Sequence, residues 1–182
     1  MFLIVLNIFL LPLAVLSSYI FLDDEIINKT SYVITSSGYI ALVYLVITLS
    51  LPLLKNNSLK IKTRLFGISA FYFSMIHFIL YVIDNSYDLA FIIEDALFRN
   101  YIIVGYLALI LLIPMYLTSF EYFKDKIKDW KKLHKIIYIV YFFILAHIYF
   151  IIKADYYYLT LFSSIFLVII ILKRYNFYKL NE

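Results

Sequence analysis

Six apolar runs, each long enough to cross a lipid bilayer, leave this chain few ways to fold. They cover roughly residues 1–22, 32–54, 65–83, 101–118, 133–152 and 156–172. A helix needs about 20 apolar residues to span the hydrocarbon core, and about 17 is the lower limit, so even the last run qualifies. Lipid offers no hydrogen bonds, so each segment must satisfy its own backbone, which a lone strand cannot do. Barrel strands would be about half as long and would alternate strictly in polarity. No repeat, low-complexity tract or long linker separates the runs. The expected fold is all-α: an integral membrane six-helix bundle forming one domain over residues 1–182. The first run is read as a helix rather than a signal peptide. It lacks a positive start and a small-residue cleavage site, and Asp23, Asp24 and Glu25 follow it directly.

Composition narrows the functional classes. Charged residues make up 15% of the chain and hydrophobic ones 65%, against about 25% charged in a soluble domain. That excludes an ordinary soluble enzyme and a disordered tail. Cysteine is absent, which excludes a disulfide scaffold, a cysteine-held iron–sulfur cluster and a cysteine-ligated zinc domain.

Basic residues set the orientation. Lys55, Lys60, Lys62 and Arg64 follow the second run, Lys124, Lys126, Lys128, Lys131, Lys132 and Lys135 the fourth, and Lys173, Arg174 and Lys179 the sixth. That puts 13 of the 16 Lys and Arg on one side and leaves only Lys29, Arg99 and Lys153 on the other. Both termini are expected in the cytoplasm. The outer loops are acidic, with Asp84, Asp88, Glu94, Asp95 and Asp155, and the stretch 84–95 is a candidate docking surface. Trp130 and many of the 19 tyrosines lie near span ends, where they read as interfacial belt residues.

Ionisable groups inside a membrane are costly and mark function by default. Away from the span ends only His77 and His147 qualify. No span carries a central carboxylate, lysine or arginine, which weighs against a proton-coupled transporter. Nor is there the His-Glu-x-x-His constellation of a zinc protease. His77 lies 13 residues after Arg64, and His147 lies 13 after His134. At 1.5 Å per residue both sit roughly 20 Å in from the basic side. The third and fifth spans run in the same direction, so the two imidazoles are expected at one depth. A pair of neutral imidazoles in a dry bundle suits a haem iron held by two histidines. A structural metal would want four ligands, and no third is offered at that level. Gly67, Ala70 and Ser74 lie within about 80° of the His77 face, a small-residue stripe where a flat group can approach the backbone. The plainer alternatives are core histidines and a helix-packing seam.

A second site, for another haem or for haem propionates, would draw on His134 and Arg64. Here the geometry is less favourable. Thirteen residues at 100° each turn His134 about 140° away from His147 on a straight helix, unless a tilt or π-bulge intervenes. Both also read as interfacial positive-inside residues.

Three stretches carry a family likeness: RLFGISAFYFSMIHFILYVID (64–84), RNYIIVGYLALILLIPMYLTS (99–119) and WKKLHKIIYIVYFFILAHIYF (130–150). In that order they resemble the MsrQ/YedZ haem-binding membrane subunits of the ferric-reductase-like transmembrane group. The resemblance implies a bacterial inner-membrane electron-transfer subunit with b-type haem, and places His77, His134 and His147 on the family's histidine positions. It implies a periplasmic molybdenum-cofactor partner, MsrP, that reduces methionine sulfoxide in proteins. FMN is also attributed to the family, although no motif here marks its site. Asn100 departs from the proline usual after the arginine, at a helix start where proline is favoured but not required. No glycine-rich phosphate loop is present, so electrons are expected from a cytoplasmic flavin reductase or from quinol. The chain itself offers no nucleophile–base pair and no paired carboxylates for substrate chemistry. Alternative expectations are a ferric- or quinone-reductase-type cytochrome b with another partner, and a haem-free permease or assembly factor.

Overall fold

The computed structural model describes residues 12–17, 28–54 and 57–179, and among them there is helix and no strand. Helix α1 (Lys29–Ser50) starts where the Asn28 side chain accepts a hydrogen bond from the Ser31 amide at 3.0 Å. It ends in a 3₁₀ turn, Leu51–Leu53, that carries Pro52, a residue unable to donate the next helical bond. Helix α2 (Asn57–Asp84) follows. The chain then reverses through Ser86 and Tyr87, whose φ values of 54° and 60° are left-handed. Asp88 caps the short α3 (Leu89–Phe98), and α4 (Asn100–Leu117) begins at once. Two single-turn helices, α5 (Glu121–Lys124) and α6 (Trp130–Leu133), and a 3₁₀ turn, His134–Ile136, lead into α7 (Ile137–Ile151). Helix α8 (Tyr157–Lys179) closes the described chain.

Five segments are long and apolar enough to cross a membrane: Lys29–Leu53, Lys62–Asp84, Asn100–Leu117, Trp130–Ile151 and Tyr157–Asn176. They match five of the six expected spans. The expected first span, 1–22, lies almost wholly outside the described residues, which include only a helical piece over 12–17. The connection 85–99, expected on the outer side, is not a plain loop, since α3 occupies most of it.

The bundle is organised as two antiparallel pairs. In the first, Gly38 of α1 meets His77 of α2, and Thr48 meets Gly67. In the second, Gly105 of α4 meets His147 of α7, and Thr118, which caps α4, meets His134. The α2–α4 contact joins the pairs, with Phe71 stacked on Tyr116 at 4.2 Å and Phe78 edge-on to Tyr106 at 5.7 Å. Phe73, Val140 and Tyr141 are completely buried in the one core cluster to which both pairs contribute. Helix α8 is peripheral, held by Tyr141, which stacks on Phe166 at 4.2 Å and donates its hydroxyl to the Phe162 carbonyl at 3.2 Å. Outward-facing Ile110, Phe142 and Leu167 are each more than half exposed. Water would penalise that surface, whereas lipid tails accept it.

Candidate functional site

On α2, His77 faces α1. Its Nδ1 lies 2.7 Å from the Ile34 carbonyl oxygen. A carbonyl only accepts, so Nδ1 carries the proton and Nε2 keeps its lone pair. The ring lies flat against Gly38, one helical turn after Ile34, where a Cβ would stand 3.1 Å from both Nδ1 and Cε1. Any side chain there would push the ring. On α7, His147 repeats the arrangement against α4. Its Nδ1 donates to the Tyr101 carbonyl at 2.6 Å. A Cβ on Gly105, again four residues on, would come within 2.9 Å of Nδ1 and 3.0 Å of Cε1. Each histidine therefore has a seat made of a helix carbonyl and the glycine one turn later.

The seats bring the two imidazoles together. Their ring centres are 6.2 Å apart and their planes cross at 87°. A single metal ion between two imidazoles, at metal–nitrogen distances of roughly 2 Å, puts ring centres about 6 Å apart. Both rings line a cavity of about 450 Å³ walled by Gly38, Leu42, Ser74, Gly105, Leu109 and Leu112 among others. At its mouth beside α3, Asp95 is 6% exposed. It accepts from the Tyr81 hydroxyl at 2.7 Å and pairs with Arg99 Nε at 2.7 Å. Arg99 Nη1 donates in turn to the Tyr101 hydroxyl at 2.8 Å. Asp95 is thus turned into the bundle, away from any docking surface on the 84–95 stretch. The Tyr106 hydroxyl, also in the cavity wall, is buried beside the Tyr81 hydroxyl. Paired acceptor nitrogens and an apolar slot fit a bis-histidine haem.

Arg64 and His134 also share a cavity, of about 310 Å³, at the other end of the same helices. Its chemistry differs. His134 Nε2 sits 2.9 Å from Thr118 Oγ1, and that hydroxyl gives its own proton to the Pro114 carbonyl at 2.8 Å. Nε2 is therefore already engaged by a hydroxyl. No second imidazole faces it, and no group of three or more potential metal ligands exists among the described residues. Arg64 pairs with Glu121 at 3.4 Å, which Lys124 shares at 3.3 Å, both near the surface. The Thr63 hydroxyl in this wall is buried and unpartnered. Leu112 lines both cavities and separates them.

Two expectations change. The small-residue stripe is divided: Ser74 lines the His77 cavity, Gly67 lines the Arg64 cavity, and Ala70 lies between them, 1% exposed. Ten residues of helix are about 15 Å long, so angular agreement with His77 did not put Gly67 at its level. The irregularity between His134 and His147 is a 3₁₀ turn over His134–Ile136, not a π-bulge. At about 120° per residue that tighter winding brings the two ring directions roughly 60° closer. The missed residues are Gly38 and Gly105, with the Ile34 and Tyr101 carbonyls. Scarcity was their signal, because the chain has three glycines and two of them sit against the intramembrane histidines.

Residues 37–145 match the family described as ferric reductase like transmembrane component. This stretch covers more than half of the chain and contains His77 and both glycines, ending just short of His147. The chain belongs to the ferric reductase like transmembrane component family. It is a multi-pass inner-membrane protein. Among curated relatives it is 28% identical over 138 residues to the "Protein-methionine-sulfoxide reductase heme-binding subunit MsrQ" of Herminiimonas arsenicoxydans, covering 72% of this chain and 63% of that one. The subunit of the same name from Brucella ovis is 40% identical over 78 residues, 42% of this chain and 36% of that one. The match to Brucella abortus (strain 2308) has the same extent. The expected kinship with the MsrQ/YedZ subunits stands, and the chain matches less than two thirds of the length of these relatives. No solved structure matches it.

Proposed function

We propose that this family member is a haem b subunit that carries electrons through the inner membrane to a periplasmic methionine sulfoxide reductase. The observation that carries the reading is the pair of seated imidazoles, 6.2 Å apart with both Nδ1 atoms committed to carbonyls. His77 and His147 would hold the iron, and with no cysteine in the chain the group is bound without thioether links, as b-type haem is. Bound there, haem supplies a one-electron couple. The chain's own residues hold the ligand nitrogens still, exclude water with Leu42, Leu109 and Leu112, and set a buried carboxylate and an arginine at the outer mouth. Positional rigidity of this kind lowers what must rearrange as charge arrives.

The partner in this reading is a molybdenum-cofactor reductase of the MsrP kind, met at the outer face. Reducing equivalents enter at the basic, cytoplasmic end from quinol or a flavin reductase, beside the Arg64/His134 cavity that Leu112 separates from the histidine pair. The second-site role of Arg64 and His134 is then toward propionates or the reductant rather than toward iron, since the Nε2 of His134 is already engaged. Both termini lie in the cytoplasm and the span count is six. Purified protein reduced with dithionite is expected to show the Soret and α bands of b-type haem, and to reoxidise when the periplasmic reductase and an oxidised methionyl substrate are added. Absence of the bands overturns the cofactor. Bands that persist without reoxidation overturn the partner.

A further inference from the structure

From the two seats we infer that Gly38 and Gly105 are positioning residues that hold the axial imidazoles in crossed planes, fixing the electronic symmetry of the haem iron. The inference rests on the haem reading above and goes beyond it. Ligand identity requires only that two nitrogens converge. It does not dictate the rotation of each ring about its metal–nitrogen bond.

The structure restrains that rotation twice over at each histidine. One in-plane restraint is the Nδ1–H bond to a helix carbonyl, Ile34 for His77 and Tyr101 for His147, at 2.7 and 2.6 Å. The other is the flat contact with the glycine one turn later, where a methyl group would meet the ring at 3.1 Å for position 38 and 2.9 Å for position 105. Because the seats belong to different helix pairs, α1–α2 and α4–α7, the ring planes meet at 87°.

Ring crossing has an electronic consequence. In low-spin iron(III) haem each imidazole donates π density into the iron dπ orbital perpendicular to its own plane. Parallel rings both act on one orbital and split the pair. Crossed rings act on both, leave them nearly degenerate and preserve orbital angular momentum. The axial ligands are among the levers by which a protein tunes haem, and second-shell hydrogen bonds that fix ligand orientation work through them.

The seats are not equivalent. The Ile34 carbonyl also accepts from the Ser37 hydroxyl at 2.7 Å, and its glycine contact is the looser. The His147 seat is therefore the stricter of the two, and substitution at position 105 should have the larger effect.

The test is low-temperature EPR of the oxidised full chain in detergent, with haem content measured by absorbance on the same samples. Wild type is expected to give a strongly anisotropic low-spin signal dominated by one high-g feature. Gly105→Ala should move it toward an ordinary rhombic signal, and Gly38→Ala should move it less far. Leu167→Ala, on the lipid-facing side of α8 and 61% exposed, serves as the control and should leave it unchanged. An ordinary rhombic signal in haem-loaded wild type overturns the crossed seats while leaving the bis-histidine haem intact. So does an unchanged signal in both haem-loaded seat variants. Haem-free wild type instead overturns the underlying reading, and if the alanine variants shed haem, the wild-type signal alone decides.

Discussion

The two cavities of this bundle are built on the same four helices, α1, α2, α4 and α7, and each contains a histidine from the α7 segment. The one that the proposed orientation puts on the outer side pairs His147 with His77, and both rings donate Nδ1–H to a carbonyl. The inner one leaves His134 with no imidazole opposite and with its Nε2 bonded to Thr118. A histidine in a membrane is therefore not yet a ligand. Its free nitrogen is decided by what the other nitrogen touches, and its usefulness by what stands across the gap.

The sharpest way to break the contrast is to remove an imidazole from each cavity. His77→Ala and His147→Ala should each lose most of the bound haem, because one nitrogen cannot hold the iron against exchange. His134→Ala should leave the outer haem near its wild-type content. Next in size are the seats. Gly105→Ala is expected to weaken haem retention about 10- to 100-fold, the range for loss of ligand-orienting contacts, with Gly38→Ala nearer the low end. Retention is read by transfer of haem to an apoprotein acceptor.

Smaller effects probe the polar groups around each cavity. Asp95→Asn weakens its pairing with Arg99 and Tyr81 and should cost on the order of 1–2 kcal/mol of stability. The value is kept low because the Arg99 side chain is 52% exposed and water screens it. Thermal unfolding followed by intrinsic fluorescence checks this. Thr118→Val should release His134 at a cost of about 1 kcal/mol without changing the haem spectrum. A spectrum that changes with Thr118→Val would show that the inner cavity takes part in haem binding and would blur the distinction between the two.

Much of this was readable in the residues, and the reason is thermodynamic. Ionisable groups are so costly in lipid that His77 and His147 stood out as a pair, and the basic residues marked the ends of the spans. Helix α3 was not legible, since Leu89–Phe98 reads as a loop between two long apolar runs and forms by capping and by burial of Ile92 and Asp95. The seats were barely legible, the scarcity of glycine being their one signal. A carbonyl has no sequence identity, and a glycine gains its meaning only from the ring that lies on it. The Gly67–Ala70–Ser74 stripe shows the opposite error, a helical face read correctly in angle while its length along the axis was overlooked.

The most direct measurement is haem stoichiometry in the purified wild type and in His77→Ala, His147→Ala and His134→Ala. The expected result is stable haem in wild type and His134→Ala, with content near background in both outer-cavity variants. Full haem content in His77→Ala and His147→Ala would contradict the assignment of the site to the seated pair.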